Sequence, residues 1–212
     1  MSDLSCDVSR AALLVVDPYN DFLSEGGKLH ELARETITSQ DCVTHMREVL
    51  AAARAAGLLV CYVPHHRWRP GDYETWHYMA PTQESVAKNH VFAAESWGGR
   101  FHPDFEPAFG ELVAQEHWLS SGFANTDLDL ILKRHGIERV IVIGLRANTC
   151  IDSTVRSAAE LGYDVTLVTD AIAAFSQAEI DATIQLNAPS YARIRIPTAE
   201  LAEALARGTK RS

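Results

Sequence analysis

RVIVIGLRANTCIDSTVRSAAEL, Arg139 to Leu161, is the stretch on which the fold turns. Arg139 to Gly144 is a short, β-branched apolar run, the pattern of a strand buried on both faces. Leu145 to Thr149 is a turn. From Cys150 to Leu161 the apolar residues Ile151, Val155 and Ala158 or Ala159 fall on one helical face, and the polar residues fall on the other. Strand, turn and amphipathic helix in that order are one half of a crossover unit of a parallel sheet.

The alternation continues in both directions. Downstream come a strand at Asp164 to Val168, a helix at Glu179 to Asn187, a strand at Tyr191 to Ile196 and a helix at Ala199 to Arg207. Upstream, Thr126 to His135 reads as a helix stopped by Gly136, and Leu112 to Trp118 as a short strand. Earlier still, Ala11 to Val16 is an apolar run ending at Asp17. Cys42 to Ala56 is helical and closed by Gly57, and Leu58 to Val63 is a strand stopped by Pro64. Repeated strand–helix units imply an α/β fold, a mostly parallel sheet covered on both faces, in a single domain over residues 1–212. Between His65 and Pro107 the regular pattern is lost. This stretch holds four of the eight prolines and three of the four tryptophans, and it is too long for a neutral connector, so a substrate-covering role is expected.

Composition narrows the function. The 212 residues carry a net charge of -9 with no basic run, which argues against nucleic acid or an anionic membrane as partner. No apolar run is long enough to span a bilayer, and MSDLSCDVSR lacks a basic and then apolar leader. Of the four cysteines, Cys6, Cys42, Cys61 and Cys150, none forms a CxxC or other close metal pair. A cytoplasmic protein with free thiols, a small-molecule substrate and no cofactor is the expectation. Gly208 to Ser212 reads as a frayed tail.

In open parallel sheets, ligands sit outside the carboxyl ends of the strands. That rule selects Asp17, the segment Pro64 to His66, His117, and the turn leading to Cys150. Cys150 begins a helix, where free N–H groups and the positive end of the dipole favour thiolate and can hold an oxyanion. Its two readings are a nucleophile and a small buried hydrophobe. Asp17 is a structural cap or a working base, whereas Asn20 and Asp21 suit a turn.

LLVVDPYNDF (Leu13 to Phe22) resembles the opening signature of the isochorismatase-like cysteine hydrolases, which include nicotinamidases and N-carbamoyl amidases. Ser121 to Phe175 resembles the second half of that family almost throughout. The resemblance implies a Rossmann-like three-layer α-β-α sandwich around a mostly parallel six-stranded sheet, here running from Ala11 to Ile196. It implies an Asp–Lys–Cys triad with Asp17 as the acid and Cys150 as the nucleophile. It also implies a cis peptide before the cysteine, between Arg146 and Ala147, with the amides of Thr149 and Cys150 as oxyanion donors.

The lysine is the departure. His117 occupies its position, and the chain's four lysines, Lys28, Lys88, Lys133 and Lys210, lie elsewhere. As imidazolium His117 would stabilise a thiolate; as neutral imidazole it could take the thiol proton. A histidine bonded to a backbone group in the core is the other reading. His65 and His66 lie where nicotinamidases carry metal ligands, but the acid-x-His spacing is absent, so no metal is expected and His65 or His66 becomes a pocket wall. Tyr19, Phe22, Ala147 and Asn148 are further expected substrate contacts. Trp97 is expected to stack on substrate, and Arg146 to bind a carboxylate.

The implied activity is hydrolysis of a small non-peptide amide through a covalent thioester on Cys150. Alternatives are an isochorismatase-type vinyl ether hydrolase, a catalytically silent binding or scaffold protein, and a thiol redox sensor. By resemblance the chain assembles as a dimer or tetramer.

Overall fold

The structure is a computed structural model and describes residues 8–208, so Cys6, Lys210 and the last four residues of the expected tail lie outside it. Six strands form one sheet: β1 (Ala11–Val16), β2 (Leu59–Val63), β3 (Leu112–Val113), β4 (Arg139–Leu145), β5 (Asp164–Ala173) and β6 (Ile194–Ile196). Their order is β3-β2-β1-β4-β5-β6, and every pairing is parallel. The chain winds one way from β1 to β3 and the other way from β4 to β6, which leaves a crevice between β1 and β4 at their carboxyl ends.

Two apolar layers cover the sheet because strand side chains alternate between faces. On one face Leu13, Val15, Tyr62 and Ile143 pack with α2 (His30–Ser39), α3 (Cys42–Ala56) and α9 (Thr198–Gly208). On the other, Leu14, Val16, Val63 and Val142 pack with α5 (Leu128–Arg134) and α6 (Asp152–Glu160). The expected three-layer fold is therefore present. All six side chains of β1 are buried, which explains its uninterrupted apolar run. Among the described residues, no helix is long and apolar enough to cross a membrane.

Several boundaries differ from expectation. The expected strand at Leu112 to Trp118 shrinks to Leu112–Val113, followed by a parallel bridge between His65 and His117. The helix expected at Cys150 begins as a wide π turn over Ala147–Ile151 and becomes α-helical only at Asp152. Tyr191 ends a short helix, α8 (Ala188–Tyr191), which leaves only Ile194–Ile196 as strand. The irregular middle contains α4 (Pro81–Asn89), whose polar sequence hides the apolar period. Before it, α1 (Asn20–Leu23) is a single turn between Asp17 and α2.

Candidate active site

The site grows from the sheet's centre. Val16 pairs with Gly144, so the residues after β1 and β4 emerge side by side. Gly144 is needed there: its φ is 122°, and a Cβ on it would lie 2.1 Å from the Val16 carbonyl oxygen. Asp17 leaves β1 with a φ of 51°, a left-handed conformation that Asp tolerates better than most residues. Its N–H donates to the Val63 carbonyl at 3.2 Å, tying it to β2 as well.

His117 arrives from the β3 side. Its N–H donates to the Pro64 carbonyl at 2.9 Å, and its own carbonyl accepts from the His66 N–H at 2.8 Å. That backbone pairing extends the sheet past β3 and brings the His117 Nε2 to 3.1 Å from Asp17 Oδ1. Both side chains are completely buried. Ligand atoms of Asp17, His117 and Cys150 lie within 4.8 Å of one another. The three residues singled out from sequence are thus one cluster. The three described lysines, Lys28, Lys88 and Lys133, are not part of it.

Three finer expectations change. The cis peptide joins Leu145 and Arg146, one residue earlier than expected, because Ala147 already belongs to the helical turn. Thr149 N–H donates to the Arg146 carbonyl at 3.1 Å, so it is engaged within the turn and not available to an oxyanion. The Cys150 thiol pKa is raised, where its place at a helix start predicts a lowered one. Burial raises it well above the usual range and the facing Asp17 carboxylate raises it further, outweighing the bonds from the Arg146 amide and the Thr149 hydroxyl. The isolated cluster holds a neutral thiol.

A cavity of about 270 Å³ opens over the cluster, and Asp17 and Cys150 are among the residues that line it. Phe22, His65, Arg146 and Thr149 line it as expected. Phe92, Val86 from α4, Leu119 and Phe175 also line it and were not singled out from sequence. Single aromatic and aliphatic residues carry no local mark that distinguishes a pocket wall from core. The His65 to Pro107 segment does cover the cavity, through α4 and Phe92.

Tyr19, Trp97, Ala147 and Asn148 do not line the cavity. Tyr19 is stacked between Phe92 and Phe101, and its hydroxyl donates to the His65 carbonyl at 2.8 Å, so it supports the wall from behind. Trp97 is 49% exposed; its carbonyl is held by Asn20 Nδ2 at 3.0 Å, which turns the indole outward. Ala147 is packed in the core. Asn148 accepts a bond from Arg146 Nε at 3.1 Å. Arg146 also lies over the Phe175 ring at 4.2 Å and 3.9 Å from Glu179.

The two neighbouring histidines have opposite characters. Burial, reinforced by nearby His117, pushes the His65 pKa down to about 4. His65 is therefore neutral, its Nδ1–H donating to the His66 carbonyl at 2.9 Å and leaving Nε2 as an acceptor. His66 is no pocket wall. Its ring stacks on Trp118 and meets Asp72 at 2.8 Å and Glu116 at 3.2 Å. Burial opposes its charge, but the two carboxylates prevail and hold its pKa above the ordinary value. Asn20 and Asp21 are the clamps of the covering segment. Asp21 Oδ2 accepts from the Phe92 N–H at 2.6 Å, and its own N–H donates to the Gly98 carbonyl at 3.0 Å.

Comparison with known proteins places the fold in a family. The Isochorismatase domain model matches residues 11–195. The chain is 31% identical to the ureidoacrylate amidohydrolase RutB of Yersinia enterocolitica over 77% of this chain and 75% of that protein. Among solved structures, N-carbamoylsarcosine amidase from Thermoplasma acidophilum is 27% identical and superposes with a TM-score of 0.65, covering 89% of this chain and 96% of that one. A cysteine hydrolase from Pseudomonas syringae, 24% identical, shares the fold with a TM-score of 0.82 over 96% of both chains. With its strand order, its acid-ended first strand and its cysteine turn, the chain belongs to the isochorismatase family.

Proposed function

We propose that this protein hydrolyses the C–N bond of a small non-peptide amide, with Cys150 as a covalent nucleophile. The convergence of Asp17, His117 and Cys150 under one cavity carries this function. The relatives named for ureidoacrylate and N-carbamoylsarcosine act on ureido or carbamoyl compounds, which supports the same bond class here.

Because the resting thiol is neutral, attack and proton removal go together. Cys150 Sγ attacks the carbonyl carbon as the Asp17–His117 pair takes the thiol proton. The Cys150 amide holds the oxyanion. The pair then protonates the leaving nitrogen, and the C–N bond breaks to leave a thioester. Water, deprotonated by the same pair, releases the acid and the thiol. Neutral His65 accepts a hydrogen bond from a substrate N–H, and the aromatic walls exclude bulk water. A reducing cytoplasm keeps Cys150 reduced, and assembly as a dimer or tetramer completes the proposal.

Rapid acid quench with mass spectrometry tests the mechanism on a panel of N-carbamoyl compounds and simple amides. An acyl adduct on Cys150, absent from Cys150→Ala, is expected. Undiminished turnover by Cys150→Ala would exclude a cysteine nucleophile. Light scattering checks the assembly state.

A further inference from the structure

Exchanging a lysine for a histidine beside an aspartate and a cysteine changes more than the proton balance. An ammonium cannot bind a metal at neutral pH, whereas an imidazole can. We propose that Asp17, His117 and Cys150 form a reversible binding site for Zn²⁺ or a similar borderline metal ion, and that its occupation masks the nucleophile. The metal is an inhibitor, not a cofactor. The absence of the acid-x-His spacing removes the expectation of a metal at His65 and His66; it says nothing about the cluster itself.

The donor set is the first argument. One sulfur, one imidazole nitrogen and one carboxylate oxygen suit Zn²⁺, and do not suit Mg²⁺ or Ca²⁺, which take oxygen ligands. Distance is the second. The three ligand atoms lie within 4.8 Å of one another, and tetrahedral zinc needs them about 3.5 Å apart, given bond lengths of about 2.0 to 2.3 Å. Binding therefore draws the three side chains together around the ion. Among the described residues no other group of three such ligands is as close together.

Unpartnered atoms are the third argument. Asp17 Oδ2 and His117 Nδ1 are buried and have no hydrogen-bond partner among the described residues. Buried polar atoms in a native site normally have a partner, and an ion beside Cys150 is one that can satisfy the open Asp17 oxygen. Asp17 and Cys150 line the cavity, so an ion can enter and its fourth position faces the space a substrate would fill.

Binding exchanges the S–H bond for an S–Zn bond and releases the thiol proton to the buffer. The cation supplies the positive charge that burial and Asp17 deny the free thiolate, so affinity rises with pH. The site could exist whether or not the proposed amide chemistry is right, because it needs only the three side chains.

The test measures binding and not only turnover. Apo protein is titrated with Zn²⁺ against a chromogenic chelator, and with Co²⁺ while the thiolate-to-cobalt absorption in the near ultraviolet is followed. In parallel, iodoacetamide labelling of Cys150 is read by peptide mapping. One ion per chain, a cobalt–thiolate band and protection of Cys150 from alkylation are expected, all reversed by chelation. Cys150→Ser should lose the band, and His117→Lys, which restores a cation but no ligand, should weaken binding by about 100-fold or more. Zinc affinity unchanged in both variants, or no binding that protects Cys150, would overturn the site. A stoichiometric ion that persists in both variants would belong to His66 or a surface histidine.

Discussion

His117 Nε2 stands 3.1 Å from Asp17 Oδ1 with both side chains completely buried, although 100 residues separate them in the chain. The pair is held from two sides, by β1 and by the backbone pairing of His117 with Pro64 and His66. Removing either partner leaves the other buried and uncompensated. Asp17→Asn and His117→Ala should each lower kcat by about 100- to 10,000-fold while the fold survives. Steady-state kinetics alongside circular dichroism would show this; normal kcat in His117→Ala would leave the imidazole a spectator.

The Cys150 thiol gives a pH prediction of definite sign. Burial and the Asp17 carboxylate both raise its pKa, so little thiolate exists near neutrality and more forms as pH increases. In metal-free protein, iodoacetamide should modify Cys150 more slowly than it modifies free cysteine at pH 7.5. The rate should climb through the alkaline range, and Asp17→Asn should accelerate it. Faster labelling than free cysteine at neutral pH would mean a preformed thiolate.

His66 and Glu116 link stability to pH beside the site. The Glu116 carboxyl, although burial works to raise it, is pulled to about 2 by bonds from His66 and Arg67. A depressed carboxyl stabilises the fold above its unfolded pKa and loses that effect as pH falls toward 2. A raised histidine stabilises below its unfolded pKa, about 6.5, and loses that effect as pH rises through its folded value. The cluster is therefore strongest between about pH 4.5 and 6.5. Glu116→Gln should cost about 2 kcal/mol there, or about 4–8 °C in Tm. The Tm gap between wild type and His66→Gln should narrow from pH 6 to pH 9, as scanning calorimetry can measure.

Asp21 fastens the covering segment. Its carboxylate takes the Phe92 N–H and the Lys28 N–H, and Gly98 packs so closely that a Cβ would lie 2.2 Å from Asp21 Oδ1. Asp21→Ala leaves the Phe92 amide without its acceptor and should cost about 1–3 kcal/mol. It should raise KM more than it lowers kcat, because Phe92 is a wall and not a reacting group. Faster limited proteolysis between residues 65 and 107 would accompany it; unchanged KM and proteolysis would exclude a clamp.

Arg146 should separate substrates by charge. It lies in the cavity wall, and Glu179 at 3.9 Å competes for it only at long range. Arg146→Met should raise KM for amides that carry a carboxylate by about 10-fold or more and leave neutral amides near wild type. Equal effects on both groups would assign Arg146 to shaping the turn.

Local pattern was enough for the sheet and for the reacting groups. Continuous apolar runs marked β1, β2 and β4, and Asp17 and Cys150 stood where those runs met polar turns. His117 was marked by its place at the end of the third expected strand, and its triad role came only from the family pattern. The helix α4 was not legible, because its sequence is polar and it is set by the chain it packs on. The cavity walls formed by Phe92, Leu119 and Phe175 were likewise hidden.

Periodicity, caps and turn residues act over a few residues, so the sequence alone determined most of the strands and helices, their mostly parallel pairing and the three chemical groups. Ionisation, ring orientation and accessibility depend on what distant segments bring within a few ångströms. Only the tertiary structure decided that the Cys150 thiol is neutral, that His65 is uncharged while His66 is held between two acids, and that Trp97 faces outward. The physical reason is the same in each case: desolvation and Coulomb interaction are set by three-dimensional neighbours, most of them far away along the chain.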